Sequence, residues 1–165
     1  MKKLEKWINK DAASYVKYFS KYYGEPETLT DHYASWDVEI GPTKFHYSKD
    51  ESLLHKFPVE HKDHFYSVMN LRVSPEQQKK LIDVTESIIV DRLAETVTAR
   101  CGNIVANSVT LGFVEDFVYG RLGKVDLKKE YGERIMSEMT PDWYNDISKE
   151  KSKDAKKYVP SMQSY

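Results

Sequence analysis

The most restrictive feature of the chain is a change of hydrophobic period. From Tyr33 to Ile40 the apolar side chains Ala34, Trp36, Val38 and Ile40 alternate with Ser35, Asp37 and Glu39. A period of two belongs to a half-buried β-strand, because successive side chains leave opposite faces of the pleat. Gly41-Pro42 interrupts the pattern, and Thr43–Tyr47 resumes it with Phe45 and Tyr47 directed inward. His64–Val73 forms a third strand with Phe65, Met69, Leu71 and Val73 on one side. Before this region the period is helical. Leu4, Ile8, Ala12, Tyr15, Phe19 and Tyr22 fall at three- and four-residue steps and predict a helix over 3–23 that stops at Gly24 and Pro26.

Ser74-Pro75-Glu76-Gln77 starts a second helix, with a Ser cap, Pro at the first helical position and Gln three residues after the cap. The segment that follows is harder to read. Val84–Thr98 holds eight β-branched residues in fifteen, which are stiff in helices and suit a pleated surface. We therefore expect helix to about Glu86, strands over 87–92 and 96–101, and a tight turn between them. Gly102-Asn103 opens a helix to Tyr119 whose buried side carries Val105, Val109, Phe113 and Phe117. Shorter helices follow over Asp126–Met139 and after Thr140-Pro141. These elements predict an α+β fold of about five mostly antiparallel strands against three to four helices. One domain covers 1–145, and residues 146–165 form a solvated helix and a Lys-rich flexible tail.

Composition excludes several classes. The chain has 165 residues, 25 Lys and Arg against 26 Asp and Glu, and a formal charge of −1. That balance gives no general attraction to nucleic acid. The longest run without charge, Cys101–Val114, is too short and too polar to span a membrane. The N-terminus lacks the apolar stretch of a secretory signal. A single cysteine, Cys101, rules out an intrachain disulfide and fits a reducing, cytoplasmic setting. Phosphate-loop, dinucleotide, nucleophile-elbow and zinc-protease motifs are missing.

One constellation carries chemistry. Four of the five histidines lie between positions 46 and 64, most of them in His55-Lys56-Phe57-Pro58-Val59-Glu60-His61-Lys62-Asp63-His64. Imidazole and carboxylate are ligands for zinc, manganese or iron. His61 and Asp63 are two residues apart and project to one side of extended backbone. His55 must return across the Pro58 turn to join them, and His64 faces away. The competing expectation is a polar loop of about fifteen residues whose histidines are separate surface groups. Asn107 and Asp116 stand on the apolar helix, so Asp116, with Arg100, is a candidate to complete a catalytic pocket around ligands His55, His61 and Asp63. Alternation places Cys101 on the face opposite Arg100, as a buried, inert thiol.

The order Trp36, Gly41-Pro42, His55-x-Phe57-Pro58, His61-x-Asp63, Ala99-Arg100-Cys101, Asn107 and Asp116 resembles a group of small uncharacterised bacterial and phage proteins. The likeness runs from the end of the first helix to the long apolar helix; His64 and the segment after Lys124 fall outside it. It implies a bacterial or phage accessory protein and supplies no reaction. Twelve tyrosines spread along the chain suit a protein interface or a homo-oligomer. The expected function is therefore an accessory protein that binds a partner or joins an assembly. The alternative is a metal-dependent hydrolase or nuclease with zinc or manganese at the His/Asp site.

Overall fold

The computed structural model describes residues 2–138. A 3-10 turn over Lys2–Lys6 leads into α1 (Lys10–Tyr23), followed by β1 (Thr28–Leu29), β2 (Tyr33–Trp36), β3 (Thr43–His55) and β4 (His61–Asn70). Then come α2 (Pro75–Ile82), β5 (Ile88–Asp91), β6 (Thr96–Cys101), α3 (Ile104–Val118) and α4 (Leu127–Glu138). The strands form one antiparallel sheet in the order β1-β2-β3-β4-β6-β5. The α+β class is as the sequence implies, with six strands. The short helix after Thr140 and the Lys-rich tail lie outside the described residues.

Helices α1 and α3 pack on the same side of the sheet, over β3–β4 and β4–β6 respectively. Two buried clusters result. Trp7, Tyr15, Phe19, Trp36 and Phe65 fill the space under α1, and Leu81, Val97, Leu111, Phe113, Tyr131 and Ile135 fill the other. α3 is apolar on most of its circumference because β6 and α4 both cover it.

The expected first helix is two pieces. Asn9 caps α1, its side-chain oxygen accepting from the Ala12 amide at 3.0 Å, so the backbone at Asn9 is extended and not helical. Asp50 of β3 holds the break by accepting from the Ile8 and Asn9 amides at 2.8 and 2.6 Å. Ile8, assigned to the apolar stripe, is 88 % exposed. The capping box at Ser74 and Gln77 forms as expected, both reciprocal hydrogen bonds being present. The 87–101 segment is a hairpin, closed by Asp91 accepting from the Leu93 and Ala94 amides.

The larger difference lies between β3 and β4. The polar run after Tyr47 is paired strand, not loop, and β3 continues to His55. A bulge between Ser48 and Leu53 sets the four residues Lys49–Ser52 against the single residue His64 of β4. The facing of β3 is also reversed from expectation. His46 and Ser48 are buried under the helices, while Phe45 and Tyr47 lie on the opposite side. Aromatic rings misled the reading because that second side has its own row: Tyr47 stacks on Tyr66 at 4.4 Å between ring centroids, flanked by Tyr33 and Phe45.

Candidate metal centre

Extension of the β3–β4 hairpin is what assembles the site. His55 ends β3, His61 begins β4, and the two are direct partners across the ladder, so their side chains share one face. Asp63, two residues along β4, follows His61 to that face. Nitrogen and oxygen atoms of His55, His61 and Asp63 lie within 4.8 Å of one another, and all three residues are buried. The Pro58 turn thus brings His55 back to the other two candidate ligands.

The contacts have a direction. His61 Nδ1 is 2.7 Å from the Val59 carbonyl, which fixes the proton on Nδ1 and aims Nε2 the other way. Nε2 lies 2.9 Å from Asp63 Oδ1 and 3.3 Å from Cys101 Sγ. His55 Nδ1 is 3.8 Å from Asp63 Oδ2 and 3.0 Å from Ser87 Oγ, and its Nε2 is 3.3 Å from Thr85 Oγ1. Asp63 is fully buried, and neither of its oxygens has an aligned hydrogen-bond donor among the described residues. Arg100 Nε stands 3.5 Å from Asp63 Oδ2, too long and misaligned for a hydrogen bond.

A buried carboxylate without donors costs several kcal/mol unless a positive charge compensates it. In the metal-free molecule that charge comes from Arg100 and a protonated His61. Burial by itself would lower the His61 pKa, but Asp63, Cys101 and the Val59 carbonyl together push it up to about 10. His55 goes the other way: burial lowers it, and the attraction of Asp63 only partly restores it. The neighbouring imidazoles therefore play different parts, one cationic and one neutral.

Tetrahedral nitrogen and oxygen ligands at 2.0–2.1 Å from zinc stand about 3.3 Å apart. The His61–Asp63 Oδ1 and His55–Asp63 Oδ2 separations, 2.9 and 3.8 Å, are of this order, each imidazole facing its own oxygen of the carboxylate. A cation on His55 Nδ1 would take the place of the Ser87 contact, and Thr85 at Nε2 would orient the ring. His55 also reaches a cleft of about 430 Å³ lined by Leu54, Phe57, Ile82, Thr85 and Lys128, so one side of the group approaches the surface.

Arg100, expected at the site, is there beside Asp63. The structure does not bring Asp116 to it. The Asp116 carboxylate is bound by Arg134 at 2.7 Å and Arg121 at 3.3 Å, and this pairing fastens α3 to α4. Asn107 serves another centre: its Nδ2 donates to the Phe65 carbonyl at 3.1 Å and to Ser67 Oγ at 3.0 Å. Ser67 in turn contacts His46 Nδ1, and Thr43 contacts His46 Nε2. His64 is buried against the Tyr15 ring of α1 and is not one of the three clustered groups. Sequence reasoning missed Thr85, Ser87 and Cys101 as neighbours, since the β5–β6 hairpin and the β4–β6 pairing deliver them from distant positions. No family model matches the chain, and no match is found among curated proteins or solved structures.

Proposed function

We propose that this chain is a metal-binding accessory protein in which His55, His61 and Asp63 hold a divalent cation, zinc or manganese, at the closed end of the β3–β4 hairpin. One observation carries the reading: Asp63 Oδ1 faces His61 Nε2 at 2.9 Å while His61 Nδ1 is committed to Val59. In the metal-free protein a proton on Nε2 faces the carboxylate, and a divalent cation that displaces this proton gains both atoms as ligands. Metal analysis of the purified protein tests this, with one zinc or manganese per chain expected. Added metal should raise the melting temperature, because a ligand specific to the native state stabilises it. A metal-free preparation whose melting is indifferent to both ions would remove the reading.

The accessory role rests on the half-buried Phe45, Tyr47 and Tyr33, packed over the buried Tyr66 on the sheet face away from α1 and α3, the residue type favoured where proteins meet. It requires a defined oligomer or a co-purifying protein. A strict monomer with no interactor counts against it. A second reading, metal-dependent hydrolysis of an ester or phosphodiester, is supported by the cleft at His55. It requires a coordination position left open for water. Turnover of a chromogenic phosphodiester, lost in His61→Ala, is the expected sign.

A further inference from the structure

We infer that Cys101 supplies a thiolate ligand at this centre, making it a closed zinc site of two imidazoles, one carboxylate and one sulfur. The inference rests on the three-residue site proposed above and adds the sulfur, the metal and the consequence for water.

Cys101 ends β6, and the ladder pairs it with Phe65, two residues beyond Asp63 on the neighbouring strand. Its Sγ is 3.3 Å from His61 Nε2, the same nitrogen that meets Asp63. Zinc holds sulfur at about 2.3 Å and nitrogen at about 2.0–2.1 Å, which sets tetrahedral S and N atoms about 3.6 Å apart. The observed separation is within a few tenths of an ångström of that edge. The sulfur lies outside the 4.8 Å grouping of the other three, so it meets them through His61 and has to close on the cation when one binds.

Independent support comes from charge. A divalent cation with Asp63 and Arg100 leaves two positive charges in excess among side chains that are 15 % exposed at most. A thiolate reduces the excess to one, and a buried excess charge is what a low-dielectric interior penalises. Cys101 is itself 4 % exposed, and the adjoining Gly102 lets the β6 end lie close to β4: a Cβ there would stand 3.1 Å from the Lys62 carbonyl oxygen. Thiolate also decides the metal, since soft sulfur favours zinc over manganese. Four protein ligands fill the tetrahedron and leave no place for a reacting water, so the cation braces the hairpin end and β6 instead of activating a nucleophile.

Cobalt(II) titration of the reduced full-length protein tests this directly. Sulfur coordination gives a thiolate-to-cobalt charge-transfer band in the near ultraviolet, alongside the visible bands of tetrahedral cobalt. The band should appear at one equivalent and vanish in Cys101→Ser. Zinc affinity in that variant should fall by more than ~100-fold, beyond the roughly 10–100-fold cost of losing a partner that only orients a ligand. Stoichiometric cobalt with visible bands but no charge-transfer band would overturn the sulfur ligand and leave the three-residue site standing. Failure to bind cobalt or zinc at all would overturn both. If Cys101→Ser does not fold, the band in the unaltered protein still decides the question.

Discussion

Two buried histidine systems lie on the helix-covered side of the sheet, and they solve the same physical problem in opposite ways. His46 is fully buried, and each ring nitrogen has a neutral hydroxyl partner, Thr43 on Nε2 and Ser67 on Nδ1. Ser67 is tied onward to Asn107 of α3. Burial drives the His46 pKa down to about 4, and nothing ionic opposes it, so the ring stays neutral as part of the packing. Around His61 the partners are a carboxylate, a thiol and a second imidazole. Burial is similar and chemistry is not. A histidine among hydroxyls is finished by its neighbours, whereas one paired with a buried carboxylate holds a proton whose place a cation could take.

The sharpest way to break this comparison is substitution. His61→Ala should reduce bound metal from one per chain to none by elemental analysis. It should also abolish a metal-dependent stabilisation on the order of 4 kcal/mol, at metal a thousandfold above its dissociation constant. His46→Ala should lower stability by about 2–4 kcal/mol, as cavity formation in a core does, and keep its metal. If both variants lose the metal, the two systems are not separate.

Acid comes next in magnitude. His46 and His64 have folded pKa values of about 4, below the unfolded value near 6.5. The unfolded chain therefore takes up protons first as pH falls, and stability drops from about pH 6.5 and levels off below 4. Each site contributes up to roughly 3 kcal/mol of that loss, by 1.36 kcal/mol per pKa unit. The raised pKa of His61 acts oppositely in the metal-free protein. Its contribution is complete below pH 6.5 and fades only as pH rises toward 10. Denaturant melts of metal-free protein from pH 7 to 4 should show the loss, and His46→Gln should flatten the slope. An unchanged slope would mean that His46 titrates alike in the folded and unfolded chain.

Asn107→Ala should cost about 1–3 kcal/mol, because it leaves the buried Phe65 carbonyl and Ser67 hydroxyl short of a donor. Metal binding should be untouched. As a reference distant from both systems, Ser74→Ala removes one half of the α2 capping box and should cost about 1 kcal/mol, again without effect on metal.

Much of the frame was legible in the residues. The capping box at Ser74, the hairpin over 87–101 and the long apolar helix follow from local chemistry that neighbours in sequence supply. The grouping of His61 with Asp63 followed from strand period alone. Errors came where a distant partner set the local state. The bulged, polar middle of β3 carries no alternation to read, since its backbone is held by β4 across the bulge. Asn9 begins a new helix because Asp50, forty-one residues away in sequence, takes its amide. Asp116 looked available for chemistry because α4's Arg134 could not be foreseen beside it.

By itself, the order of residues settled the α+β class, where most helices and strands begin, and which short segment holds imidazole and carboxylate in quantity. Those are local matters, decided by period, caps and turn chemistry within a few positions. Only the folded arrangement decided which histidines converge, that Cys101 and Arg100 arrive beside them from β6, and that His46 is satisfied by hydroxyls. Strand pairing and side-chain burial are set by contacts between segments far apart along the chain, and no local pattern encodes the partner.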